Sequence, residues 1–98
     1  MERYVLAPEA LQDLQDIWNF IAADNPEAAS ALQEEFFRAF DGLAAMPGKG
    51  HPRKDLTDRE VLFFRVRSYL IVYRSDSTPI QIVAVLHAAR DVPAVLRR

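Results

Sequence analysis

The spacing of apolar residues changes twice along the 98-residue chain, and the changes divide it into elements. Arg3 to Leu6 is a short β-type run closed by Ala7-Pro8. From Pro8 to about Asp24 the period is helical: Leu14, Ile17, Trp18 and Ile21 fall at i, i+3, i+4 and i+7, with Gln12, Asp13, Gln15, Asp16 and Asn19 mostly on the opposite side. Pro8 followed by Glu9 suits a first helical turn, where proline gives up no needed N–H. Asp24-Asn25-Pro26-Glu27 stops this helix and starts another, because the residue before a proline avoids the α region and Asn25 can cap the N–H groups that follow. In the second helix Ala29, Leu32, Phe36, Ala39, Phe40 and Leu43 keep the period up to Met46-Pro47-Gly48, a length of about 30 Å. The two helices are expected to form a tight hairpin.

Pro47 to about Glu60 is rich in glycine, proline and basic residues and reads as a loop, long for so small a domain and therefore functional or mobile. The period then becomes two. Val61 to Val66, Tyr69 to Arg74 and Ile80 to His87 are expected to form an antiparallel meander. Arg67-Ser68 leaves the turn type open, since neither residue favours positive φ as Asn-Gly would. With Val66 and Tyr69 as partners, one face of the hairpin carries Leu62, Phe64, Val66, Tyr69, Ile71 and Tyr73, and the other Val61, Phe63, Arg65, Leu70, Val72 and Arg74. A helical hairpin covers only one of them. The other face either receives a partner or is covered in part by the tail Val92-Pro93-Ala94-Val95-Leu96.

Length and composition set the class. At 98 residues, 50% apolar and 27% charged, the chain is one globular domain with a single core, too small for a two-lobed cofactor enzyme. No apolar run reaches the roughly 18 residues of a membrane helix, and Met1-Glu2-Arg3-Tyr4 does not begin a signal peptide, so a cytoplasmic protein with no membrane partner is expected. The absence of cysteine excludes disulfides, thiolate nucleophiles and cysteine-based metal sites. The net charge of −2 conceals a polarity, with a net −7 from Met1 to Met46 and +5 from Pro47 onward. That polarity suits either a surface for nucleic acid or an acidic partner, or two solvated helices followed by a sheet.

Few residues carry chemistry. Gly48 and Gly50 are not followed by a helical pattern, so they make no phosphate loop. Neither His51 nor His87 has acids at ligand spacing, and no metal or cofactor is expected. Ser30, Ser68, Ser75 and Ser77 lie in no nucleophile context. His87 ends the last strand within Leu86-His87-Ala88-Ala89-Arg90-Asp91, where an imidazole beside guanidinium groups does acid–base work or simply organises the strand end. Arg65, Arg74 and Arg90 offer bidentate donors to phosphate or carboxylate, or make internal salt bridges. Tyr69 and Tyr73 share a face and either stack bases or fill the core.

The order β-α-α-β-β-β, an α+β plan with an N-terminal helical hairpin on one face of an antiparallel sheet, resembles the ParE/RelE superfamily of type II toxin–antitoxin toxins, on its ParE side. The resemblance spans nearly the whole chain. It is carried by Leu6-Ala7-Pro8-Glu9-Ala10, Asp24-Asn25-Pro26-Glu27-Ala28-Ala29, Met46-Pro47-Gly48-Lys49-Gly50, Tyr69-Leu70-Ile71-Val72-Tyr73-Arg74 and Ile82-Val83-Ala84-Val85-Leu86-His87-Ala88-Ala89-Arg90-Asp91. It implies a bacterial toxin held by a cognate antitoxin whose disordered segment folds along the hairpin and sheet, with DNA gyrase as the target. Direct nucleic-acid contact is compatible with this. Leu14, Trp18, Ile21, Phe63, Leu70 and Val72 are the expected antitoxin surface. Arg65, Arg67, Arg74, His87, Arg90, Arg97 and Arg98 are the expected target surface. RelE-type members instead cut mRNA in the ribosome. Arg65 occupies the place of one of their catalytic arginines, and Arg65, His87 and Arg90 would be the catalytic set here. No tyrosine follows His87, however, and Lys49 and Lys54 lie in the loop, so the nuclease set is incomplete. An antitoxin-binding module without toxicity is a third reading.

Overall fold

A computed structural model of the protein describes residues 3–97. The elements follow in the order β1 (Tyr4–Leu6), α1 (Pro8–Ala22), α2 (Pro26–Ala45), a 3-10 turn (Pro47–Lys49), β2 (Leu62–Val66), β3 (Tyr69–Arg74), β4 (Ile80–His87) and α3 (Val92–Leu96). The α1–α2 junction forms as its chemistry requires. Pro8 and Pro26 stand in the first turns, and the Asn25 side chain accepts a hydrogen bond from the Ala28 N–H at 3.1 Å. α1 ends two residues before Asp24, where the N–H groups of Asp24 and Asn25 both turn back to the Ile21 carbonyl.

The strands lie in the order β1-β4-β3-β2. β2, β3 and β4 form the expected antiparallel meander, with Val66 opposite Tyr69. β1 corrects the expectation of a wholly antiparallel sheet. It pairs in parallel with β4, Tyr4 opposite Ile80 and Leu6 opposite Ile82, because the chain between them crosses over the sheet through the helical hairpin before returning. The register of β3 on β4 steps between Val72–Ala84 and Tyr73–Ile82, so Val83 is an extra residue. This bulge places Val85 and Ile82, three apart, on the same face.

Both faces of the sheet are covered. On one side Ala10 and Leu14 of α1 and Leu32, Phe36, Phe40 and Leu43 of α2 enclose Ile71, Tyr73, Ile80, Ile82 and Val85. On the other, Val92 and Leu96 of α3, with Val95 and Leu56, lie over Val61, Phe63, Leu70, Val72, Ala84 and Leu86. Of the two covers open to this face, a partner or the chain's own tail, the tail is the one the structure shows. α3 is only five residues long, but its start is capped by Asp91, which accepts from the Ala94 N–H, and its end by the Arg59 guanidinium on the Leu96 carbonyl at 3.2 Å.

The long loop is tied down by one buried phenol. Tyr73 Oη donates to the Pro47 carbonyl at 2.7 Å and accepts from the Gly50 N–H at 2.8 Å. Next to it, His51 and Phe63 exchange backbone hydrogen bonds of 2.9 and 2.8 Å. Gly50 is obligatory, because a Cβ there would stand 2.6 Å from Tyr73 Oη and 2.9 Å from the Phe63 carbonyl oxygen. Gly50→Ala is therefore expected to cost about 1–3 kcal/mol by overpacking. Tyr73→Phe, which leaves two backbone groups unpaired, should cost about as much. Both are read by denaturant unfolding.

Burial also raises the Tyr73 phenol above its ordinary value, against a smaller opposing effect of the Gly50 hydrogen bond. The folded state prefers the neutral phenol. Its contribution is complete below the unfolded value near pH 10 and is lost as pH rises through the folded value. Stability should consequently fall more steeply above about pH 10 in the native protein than in Tyr73→Phe. Some slope will remain from Tyr4, which is raised by burial and by Asp41.

Candidate functional site

The residues of chemical interest gather at one end of the sheet, around the β2–β3 turn and the end of β4. Arg67, first of the two turn residues, has φ +54°, a conformation that an arginine adopts only at some cost. Two contacts hold it there. Arg65 Nε donates to the Arg67 carbonyl at 2.8 Å, and Arg67 Nε reaches both oxygens of Glu35 on α2 at 2.8 and 3.0 Å. Arg67 is therefore a clasp between the acidic hairpin and the basic sheet. Beside it a groove of about 310 Å³ is lined by Ile21, Ala28, Ala31, Leu32 and Glu35.

Beyond the turn, β3 and β4 place Tyr69 and His87 opposite each other, with ring centroids 5.1 Å apart, edge to face. The His87 imidazole accepts from the Ala89 N–H at its Nδ1, 3.0 Å away, which assigns the proton of the neutral ring to Nε2. His87 and Tyr69 border a cleft of about 430 Å³ on the helical side of the sheet, together with Asp13, Asp16, Phe20 and Arg90. Phe20 at its rim is 81% exposed, unusual for so large an apolar side chain. A second cavity, of about 350 Å³, opens on the α3 side between Arg53, Arg65, Arg90, Leu70, Asp91 and Val92. Arg90 borders both.

Arg65 and His87 point to opposite faces. Arg65 stands opposite Leu70 and His87 opposite Tyr69, successive residues of one strand, so their side chains leave the sheet on different sides. The remaining predicted target residues are dispersed. Arg74 lies at the far end of β3, about 17 Å from Tyr69 at the rise of a strand, and is held by Asp76 at 2.9 Å. Arg97, just past α3, borders a third cavity with Lys54 and Arg59. Arg98 lies outside the described residues.

The expected antitoxin surface narrows. Leu14 is core, and Phe63, Leu70 and Val72 are buried beneath α3, since the tail spends its apolar side chains on them. Trp18 is half-buried, and Ile21 is half-buried beside the Arg67 groove. Leu11, two turns before Trp18 on α1, is 53% exposed. Among the described residues no helix can span a membrane and no cluster of three metal-binding side chains exists.

Sequence periodicity missed three contributors. Asp13, assigned to the wet side of α1, is buried, and its Oδ2 accepts from the Val85 N–H at 3.0 Å. It satisfies the β4 edge just beyond the point where β1 stops pairing. Phe20 and Arg53 carried no periodic signal. Arg53 belongs to the long basic loop, in which no single residue stood out.

The profile of the family described as "ParE toxin of type II toxin-antitoxin system, parDE" matches residues 4–92. A Sinorhizobium fredii protein named "Putative toxin Y4kP" is 34% identical over 87 residues, covering 89% of this chain and 88% of that protein. A solved structure described as "Chromosomal ParDE TA system from P. aeruginosa" superposes with a TM-score of 0.71 at 17% identity, over 86% of this chain and 92% of that one, and shares the fold.

The base of the cleft is testable through Asp13. Asp13→Ala leaves the buried Val85 N–H without its acceptor and should destabilise by about 1–3 kcal/mol. Asp13→Asn, which keeps an acceptor oxygen, should recover part of this in urea unfolding.

Proposed function

The chain belongs to the ParE toxin family of type II toxin–antitoxin systems, and from that premise we propose that it stops bacterial growth by binding DNA gyrase and holding its cleaved-DNA state, until a cognate antitoxin neutralises it in the cytoplasm. One observation favours non-covalent poisoning over RNA cleavage, namely that Arg65 and His87 leave the sheet on opposite faces. A nuclease needs its base, acid and phosphate-stabilising groups within hydrogen-bond reach of a single scissile phosphate. Here the helical-side cleft has His87 without Arg65, and the α3-side cavity has Arg65 without His87.

Binding has different requirements, and the same end of the sheet meets them. Arg90, which makes no side-chain hydrogen bond or ion pair among the described residues, borders both cavities. His87 offers Nε2 and Phe20 an exposed ring at the rim. An exposed aromatic beside an unpaired arginine has the composition of a binding hot spot. Arg67 instead keeps the surface in shape through Glu35. For the antitoxin, the half-buried Trp18 and the groove at Ile21 form the accessible apolar strip, and the basic sheet end meets its carboxylates.

Production of the toxin alone in bacteria is expected to arrest growth with induction of the DNA-damage response while mRNA stays intact. Arrest with mRNA loss supports the nuclease reading, and normal growth refutes both. A doubly substituted Arg65→Ala/Arg90→Ala protein, folded by circular dichroism, should lose toxicity, since each charged contact contributes about 1.5–3 kcal/mol. Full toxicity would refute the surface. Trp18 fluorescence should shift on addition of antitoxin, and an unchanged spectrum would remove Trp18 from that interface.

A further inference from the structure

The cavity between β2, the end of β4 and α3 is lined by more guanidinium groups than carboxylates. Three guanidinium groups, Arg53, Arg65 and Arg90, border a space of about 350 Å³ whose lining includes a single carboxylate, Asp91. That carboxylate is already engaged, its Oδ1 accepting from the Ala94 N–H at the start of α3. Arg65 spends Nε on the Arg67 carbonyl, which fixes the side chain and leaves its terminal nitrogens. Arg53 is fixed in the same manner by two bonds to Asp55, an exposed residue outside the lining. Arg90 makes no side-chain hydrogen bond or ion pair among the described residues. The remaining walls, Leu56, Leu70, Ala88, Val92 and Pro93, are apolar. All three arginines are exposed, so their pull on an anion is collective and weakens with salt.

We propose that this cavity binds a phosphodiester group of an unpaired nucleic-acid strand, with Arg53, Arg65 and Arg90 around the phosphate and the Leu70–Val92 wall against the attached sugar or base. A planar carboxylate is satisfied by a single guanidinium fork, whereas the several lone pairs of a tetrahedral phosphate accept from more than one arginine at once. The cavity is far smaller than a duplex. The net −7 of the N-terminal half lies mainly on the helical hairpin, across the sheet from this cavity, so the α3 side is the side a polyanion can approach. The inference rests on the gyrase reading for the source of the strand and adds Arg53 to the functional surface.

The test is fluorescence anisotropy of a labelled single-stranded oligodeoxynucleotide with the full chain across a salt series, beside supercoiling assays on the same proteins. Saturable binding is expected, weakened at least tenfold by Arg90→Gln and by Arg53→Gln and unchanged by Arg38→Gln, whose side chain lies on exposed α2 beside Glu34. The slope of log K against log salt should fall by about 0.7 for each pocket arginine removed. No binding at roughly 50 mM salt, equal binding by Arg90→Gln and Arg38→Gln, or displacement of the strand by less oligoglutamate than unlabelled strand would overturn the assignment. The last of these would give the cavity to an acidic peptide. Strand binding without any effect on gyrase refutes the gyrase reading and leaves the cavity standing. Gyrase poisoning without strand binding does the reverse.

Discussion

A sheet that is apolar on both faces has to be covered twice, and 98 residues leave little chain with which to do it. The helical hairpin takes one side with Leu14, Phe36, Phe40 and Leu43. The other falls to a five-residue helix and Leu56, which together bury Phe63, Leu70 and Val72. Because α3 is too short to hold itself, it depends on Asp91 at its start, Arg59 at its end and the apolar contact beneath it. The long loop is needed for the same reason. Tyr73 pins Pro47 and Gly50 from within the core, and the loop then delivers Leu56 and Arg59 to the tail.

This economy decides where function can reside. With both faces occupied, the exposed chemistry is displaced to the end of the sheet, at the β2–β3 turn and the exposed Ala89–Asp91 segment. There Arg67 ties the two charge-opposed halves through Glu35, and Arg90 sits between two cavities of different character. The helical-side cleft is mixed, acidic at Asp16 and aromatic at Phe20, whereas the α3-side cavity is cationic. A single sheet thus separates Arg65 from His87 and leaves two cavities of different charge on its two sides.

Much of this was legible in the residues. The helical period of Leu14, Ile17 and Ile21, the Asn25-Pro26 junction and the alternation in Leu62–Val66 and Tyr69–Arg74 placed the elements and both hairpin faces, because local periodicity reports directly on burial. The misreadings share another cause. Asp13 belongs to the wet side by period, yet a β4 N–H left unpaired past the end of β1 draws it inward. Val83 shifts the β4 alternation through a bulge that no spacing announces. The positive φ of Arg67 depends on Arg65 and Glu35, distant or non-turn residues. The expected order β-α-α-β-β-β holds no helix after the last strand, and only the assembled sheet shows that one forms in the tail and that it, and not a partner, covers Phe63 and Val72. Charge dispersal was likewise invisible: Arg65, Arg74 and His87 look equivalent in sequence and are separated by face or by strand length.

The central claim is that the basic end of the sheet binds rather than cleaves. A purified supercoiling assay with DNA gyrase, run beside a translating-ribosome mRNA assay on the same toxin preparation, tests it most directly. The account predicts loss of supercoiling with accumulation of cleaved DNA and intact mRNA. Cleaved mRNA with supercoiling unaffected would contradict it.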